Sequence, residues 1–218
     1  MKKRPEINEK TVIEISDHKF LKMFDIQYAQ GRHYFNASRR NKEDLMCLKS
    51  DEEFKKALPD AVTCIVIVKL KDKDERLLLS EEYRYPAGRF LLSPPAGVLD
   101  PSDKDSESPI INAAIREIKE ETGLRVDISG GDTVKIVNPL LFSSPGMTDE
   151  SNAIVCVYIN DLDETKLSQS GTEESELFNG FRLLDKEAAK RIIRNGYDDE
   201  GYFYSVYTFV ALSYFISC

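Results

Sequence analysis

One stretch constrains the fold more than any other: AVTCIVIVKL, at Ala61–Leu70. It is rich in β-branched residues and apolar on almost every position, with no alternation. A strand with that pattern is apolar on both faces and must be covered on both. It is far shorter than the roughly 20 residues that span a bilayer, and so is the other long apolar stretch, Thr208–Ile216. The cover therefore has to come from layers of the protein itself, and no membrane partner is expected. The chain has 218 residues, room for one to one-and-a-half domains. Its net charge of −8 disfavours broad binding to nucleic acid. The opening MKKRPEINEK has charge but no apolar core behind it, so no secretory signal is expected. Cys47, Cys64, Cys156 and Cys218 show no paired or metal-binding spacing. They read as small buried hydrophobes in a reducing compartment, and the expected location is cytoplasmic.

The order of elements suggests how the layers arise. Thr11–Ile15 alternates weakly, and Phe20–Tyr28 and His33–Arg39 flank a turn containing Gly31, as in a hairpin. Lys42–Leu58 is charged, either a helix or a connector. After Pro59-Asp60 come the strand Ala61–Leu70, a charged turn and a returning strand at Arg76–Ser80. Tyr83–Pro95 reads as an irregular Pro- and aromatic-containing segment, Pro94–Gly97 as a sharp turn, and Asp100–Pro109 as a polar loop. A helix is expected over Ile110–Thr122, closed by Gly123. Strands follow at Thr133–Val137, Ala153–Ile159 and Phe181–Leu184, and helices at Lys186–Asn195 and Tyr202–Ser217. Strands and helices are interspersed without a regular βαβ repeat. This predicts an α/β (α+β) sandwich with a mixed sheet, residues 59–218, preceded by a small antiparallel β domain, residues 1–58.

The helix at Ile110–Thr122 carries the chemistry. At 100° per residue, Ile111, Ala114, Ile115 and Ile118 share one arc, and Glu117, Glu120 and Glu121 share another that faces away from it. Like charges at i, i+3 and i+4 repel by a few tenths of a kcal/mol per pair. They also sit toward the helix C-terminus, where the macrodipole disfavours anions. Folding alone does not select this arrangement. A divalent cation offsets it, because hard oxygen ligands suit Mg²⁺ or Mn²⁺. A solvated acidic face is the plain alternative.

The surrounding residues weigh against that alternative. Arg116-Glu117-Ile118-Lys119-Glu120-Glu121-Thr122-Gly123-Leu124 fits R-E-U-x-E-E-x-G-U, where U is aliphatic. A chance match in a chain of this length is on the order of 10⁻⁵. The string resembles the second half of the Nudix box of Nudix hydrolases. The first half departs from the family pattern: Gly97 lies 19 residues before Arg116 where the pattern has 14, and Ser108 falls where the first box glutamate stands. Beyond the box, Glu82-Tyr83-Arg84-Tyr85-Pro86-Ala87-Gly88-Arg89, then Pro95-Ala96-Gly97, is similar to a stretch of the ADP-ribose pyrophosphatases (ADP-sugar diphosphatases).

The resemblance implies site residues and an activity. Glu117, Glu120 and Glu121, with the Ala96 carbonyl, would hold the metal, Mg²⁺ or Mn²⁺, and Arg116 would orient a glutamate through a bidentate pair. Glu176 or Glu174, in an acidic stretch after the box, would serve as general base. Phe20 and Tyr34 would stack the adenine, and Arg39, Arg84 and Arg89 would bind the diphosphate. Ser144-Pro145-Gly146-Met147-Thr148-Asp149-Glu150 is similar to a loop that borders the substrate, which brings in Gly146 and Met147. The implied reaction is metal-dependent hydrolysis of ADP-ribose, or a related nucleoside diphosphate sugar, to a nucleoside monophosphate and a sugar phosphate. The implied assembly is a homodimer through residues 1–58. Competing expectations are another diphosphate (NADH, a CoA derivative, GDP-mannose) or a non-catalytic Nudix-fold module that binds nucleotides.

Overall fold

The computed structural model describes residues 4–70, 74–172 and 176–218. They divide into two compact units. One comprises Met1–Asp60 with Leu140–Asn152, the other Ala61–Pro139 with Ala153–Cys218.

The first unit is built on a three-stranded antiparallel sheet: β1 (Val12–Asp17), β2 (Lys22–Ala29) and β3 (Arg32–Ser38), in that order. The expected hairpin is present, turned at Gly31 with φ +64°. One face carries Val12, Phe24 and Ile26, which pack with Leu45 as a small buried core. Alternation sends Ile13, Ile15, Met23 and Phe35 to the other face, where all four are exposed. The connector Lys42–Leu58 forms two 3₁₀ turns and one short helix, α1 (Asp51–Lys55), started by a capping box between Ser50 and Glu53. The loop before Asn152 joins this unit through the main chain: Ala37 N–H donates to the Met147 carbonyl at 2.9 Å. Arg40 completes the tie. Its Nη2 donates to Asp60 Oδ2 (2.9 Å) and Ser151 Oγ (3.2 Å).

The second unit holds a mixed sheet. Its main strands are β4 (Ala61–Leu70), β5 (Glu75–Arg84), β8 (Thr133–Phe142), β9 (Ser151–Leu162) and β10 (Phe178–Leu184), in the order β10-β5-β4-β9-β8. Two shorter strands flank it: β6 (Arg89–Ser93) on β5 and β7 (Ala96–Val98) on β4. β4 is buried along nearly its whole length, as its composition requires. Val62, Cys64, Val66 and Val68 face α3 (Pro109–Thr122) through Ala113, Ala114 and Ile118. The opposite face of the strand meets α5 (Val206–Ser217), whose Ala211, Leu212 and Phe215 are buried. α4 (Lys186–Asn195) packs on α5.

Several expectations shift. Tyr83–Pro95 is not irregular. It holds the end of β5, a turn at Tyr85–Gly88 and β6, because the prolines fall in the turn and after the strand. Pro94–Gly97 runs into β7, and the polar loop includes a short helix, α2 (Pro101–Lys104). α5 begins at Val206 rather than Tyr202, capped by the Ser205 side chain. Of the cysteines only Cys64 is buried; Cys47 and Cys156 are half-buried and Cys218 is exposed. Among the described residues, no helix is long and apolar enough to cross a membrane.

Candidate functional site

α3 starts with Pro109 at its first position, where a missing N–H costs nothing, and ends at Gly123 in the left-handed region, φ +73°. Ser108 is the residue before the helix, so the position expected for the first box glutamate is a helix entry. Between these ends the burial pattern corrects the helical-wheel expectation. Glu117 and Glu121 are buried, at 8% and 4% exposure, while Ile111 and Ile115 are only half-buried. Only Glu120 of the three lies partly open, with 44% of its side chain exposed. The helix packs against the short strand β7 as well as β4, and the Glu117 and Glu121 carboxylates lie against that short strand.

Gly97 makes the room. A Cβ there would stand 2.0 Å from Glu117 Oε1 and 2.3 Å from Oε2. One residue earlier, the Ala96 N–H donates to Glu121 Oε1 at 3.2 Å. Arg116 gathers the remaining acceptors. Its Nη1 donates to Glu117 Oε1 (2.7 Å) and Glu120 Oε2 (3.0 Å), and its Nη2 donates to the Val98 carbonyl (2.9 Å) and Asp103 Oδ2 (2.8 Å). The expected bidentate pair with one glutamate is replaced by a bridge across two.

The electrostatics follow from burial. Desolvation pushes the Glu117 carboxyl up to about 7; Arg116 opposes this, and Glu120 and Glu176 add to it. Glu121 is raised well above the usual carboxylate range, again by burial first, with Glu82, Glu117 and Glu176 adding to it. Glu82 is raised by burial, partly offset by Arg84. Glu176 thus shares the field of Glu82, Glu117 and Glu121. Beneath them, burial and the charges of Glu121 and Glu117 push the Cys64 thiol up. Glu174 lies outside the described residues.

The donor set fits a divalent ion. It consists of hard carboxylate oxygens: burial first, then neighbouring carboxylates, raise Glu117 and Glu121, while Glu117 and Glu120 share the Arg116 guanidinium. Glu117 and Glu120 are both turned to Arg116, and among the described residues no three acidic, His or Cys side chains already surround one point.

The other expected residues divide. Arg84 pairs locally with Glu82, Nη2 to Oε2 at 2.5 Å. Arg89 stands over the Tyr202 ring, 5.6 Å from its centroid. In the first unit, the Tyr34 hydroxyl donates to the Gly146 carbonyl at 2.7 Å, beside an exposed Met147. Arg39 Nε donates to Glu150 Oε1 at 2.6 Å. Phe20 is exposed in the turn before β2, whereas Tyr34 pairs with Ile26 near the other end of that strand. At about 3.4 Å per residue, Lys22 and Ile26 alone are roughly 14 Å apart along the strand, and Phe20 lies two residues beyond Lys22.

Three functional candidates escaped the sequence reading. Asp103, 5% exposed, anchors Arg116; its signal was the box D-P-S-D at Asp100–Asp103, in which Asp103 Oδ2 accepts from the Asp100 N–H (2.9 Å). Glu82 and Glu150 stood in quoted motifs, but no periodicity marked either.

Comparison with known proteins gives the family. The NUDIX domain model matches residues 59–202. "Putative nudix hydrolase 2" of Caenorhabditis elegans is 36% identical over 104 residues, covering 48% of this chain and 42% of that protein. "ADP-ribose pyrophosphatase" of Saccharomyces cerevisiae is 29% identical over 147 residues (66% and 57%), and "ADP-sugar pyrophosphatase" of Mus musculus 32% over 101 residues (46% and 41%). The chain spans about half the length of these relatives. A crystal structure titled "ADP compounds hydrolase" shares the fold, with TM-score 0.58 at 16% identity over 97% of this chain and 91% of that one. With a NUDIX domain matched over residues 59–202, about two thirds of its length, the chain belongs to the Nudix family.

Proposed function

We propose that the protein is a Mg²⁺-dependent Nudix hydrolase. It cleaves the diphosphate of ADP-ribose, or a related nucleoside diphosphate sugar, to AMP (or another nucleoside monophosphate) and a sugar phosphate. The observation that carries this reading is the burial of Glu117 and Glu121 beneath a strand whose Gly97 leaves space for them. A folding argument offers no reason to bury two carboxylates of which one meets Arg116 and the other a main-chain N–H.

In this reading Glu117, Glu120 and Glu121, with the Ala96 carbonyl, hold Mg²⁺ or Mn²⁺. A bound divalent ion neutralises charge on the diphosphate and lowers the pKa of water. Arg116 keeps Glu117 and Glu120 in register. Glu176, within the field of Glu117 and Glu121, accepts the proton of the attacking water; Glu174 is the second candidate for that role. Arg39, Arg84 and Arg89 contact the diphosphate, Phe20 and Tyr34 the adenine, and Gly146 and Met147 border the substrate. Residues 1–58 pair two copies of the chain; the exposed apolar face of Ile13, Ile15, Met23 and Phe35 supports this. The names of the yeast and mouse relatives support an ADP-sugar substrate.

The test is a panel of ADP-ribose, ADP-glucose, NADH, coenzyme A and GDP-mannose with Mg²⁺, ranked by kcat/KM. ADP-ribose or ADP-glucose is expected first, with AMP released. Glu120→Gln is expected to lower turnover at least about 10²-fold with unchanged melting. Near-normal turnover in that variant would refute the assignment.

A further inference from the structure

Two consecutive arginines follow β3, and the structure uses them in different ways. Arg40 is a structural tie. Its side chain is 12% exposed, and its Nη2 is spent on Asp60, Ser151 and the Leu58 carbonyl. Arg39 is 41% exposed and makes one bond among the described residues, through Nε to Glu150 Oε1. Nε lies at the inner side of the guanidinium. A carboxylate held there fixes the plane of the group and leaves its two outer nitrogens, a planar fork, for an outside acceptor.

Glu150 is itself held. Its N–H donates to Thr148 Oγ1 at 3.0 Å, and its carbonyl accepts from the Ser143 N–H at 3.1 Å. The same loop is fastened to β3 at two further points, Tyr34 Oη on the Gly146 carbonyl and the Ala37 N–H on the Met147 carbonyl. The carboxylate therefore stands on a closed loop rather than a free side-chain tether. A surface ion pair on loose side chains contributes little to stability. This one is short, anchored on both sides and monodentate, which suits orientation better than folding.

We propose that Glu150 is a positioning residue that aims the Arg39 fork at phosphoryl oxygens of a nucleoside diphosphate. This inference rests on the reading of the chain as a nucleoside diphosphate hydrolase. Glu150 touches no substrate; it lowers the cost of ordering Arg39 on binding. Its loss therefore appears in affinity and KM, not in the chemical step.

The test uses the full chain. ADP-ribose binding is measured by calorimetry in EDTA, and KM and kcat are measured with Mg²⁺, for the wild type, Glu150→Gln, Arg39→Ala and the double variant. The expected result is a roughly tenfold weaker Kd and a roughly tenfold higher KM for Glu150→Gln. Its kcat stays within about twofold and its melting temperature is unchanged. The double variant is expected to bind no more weakly than Arg39→Ala alone. Wild-type affinity in Glu150→Gln, or additive losses in the double variant, overturns the inference and leaves the hydrolase reading intact. Wild-type affinity in Arg39→Ala removes both the arginine contact and its positioning. Absence of both binding and turnover of ADP-ribose by the wild type overturns the substrate reading and this inference with it. If Glu150→Gln melts more than about 5 °C low, Arg39→Lys decides. It keeps the charge but lacks Nε and the fork, so affinity equal to the wild type overturns the proposal.

Discussion

Replacing Gly97 by Ala adds one methyl group in the place where the proposed metal ligand lies. The new Cβ would meet Glu117 Oε1 at 2.0 Å, Cδ at 2.1 Å and Oε2 at 2.3 Å. Ordinary carbon contacts begin near about 3.5 Å, so the carboxylate has to retreat by more than about 1 Å. The obstructed atoms are the end of a flexible side chain, so the backbone need not move. Retreat breaks the 2.7 Å bond from Arg116 Nη1, a charge-assisted contact worth about 1.5–3 kcal/mol. The loss is offset in part by the gain of about 0.4–1 kcal/mol from stiffening the unfolded chain, and by the repulsion relieved when a buried carboxylate leaves. The net stability change is about 2 kcal/mol or less, a melting shift of roughly 4–8 °C. Catalysis suffers more directly. If the same 1.5–3 kcal/mol is lost from the transition state, kcat/KM falls about 10- to 100-fold. The assay is kcat/KM on ADP-ribose with Mg²⁺, beside a circular-dichroism melt. A Glu117→Ala background serves as the control, where Gly97→Ala should cause no further loss. Activity within threefold of wild type in folded Gly97→Ala, or an equal loss in the control background, would show that the position of Glu117 is irrelevant to turnover.

Two further outcomes follow from the same residues. Glu117 is raised from the ordinary 4.5 to about 7, so between those values the folded chain keeps a proton that the unfolded chain has released. Stability in EDTA is therefore expected to fall as pH rises from 5 to 7.5, and added Mg²⁺ to restore it at 7.5; a melting temperature that climbs through that window in EDTA contradicts the electrostatic account. Arg116→Met strands Asp103, whose side chain is 7% exposed, and is expected to cost about 3 kcal/mol in urea unfolding; a loss below 1 kcal/mol would show that Asp103 does not depend on the guanidinium.

What the sequence disclosed depended on how local each signal was. α3 was legible almost to the residue, because Pro109 and Gly123 act on the backbone next to them. β4 was legible because an uninterrupted apolar run has few other uses. β6 and β7 were missed: they are short, and Pro86, Pro94 and Pro95 around them read as interruption. The wheel placed the three glutamates correctly relative to one another, but not relative to solvent. Burial of Glu117 depends on a missing Cβ on a different strand, which no periodicity within the helix can report. The same holds for Asp103 and Glu150. Asp103 is defined by an arginine on the next helix and Glu150 by one 111 residues away.

The first unit is discontinuous in sequence, and this has a consequence for its inheritance. Met1–Asp60 is not a portable cassette, since Leu140–Asn152 belongs with it. A recombination event that moved only the leading segment would leave the Ala37 and Met46 amide groups without the Met147 and Asp149 oxygens that they now bind. Shuffling between relatives is therefore expected to succeed only when both stretches descend from the same parent.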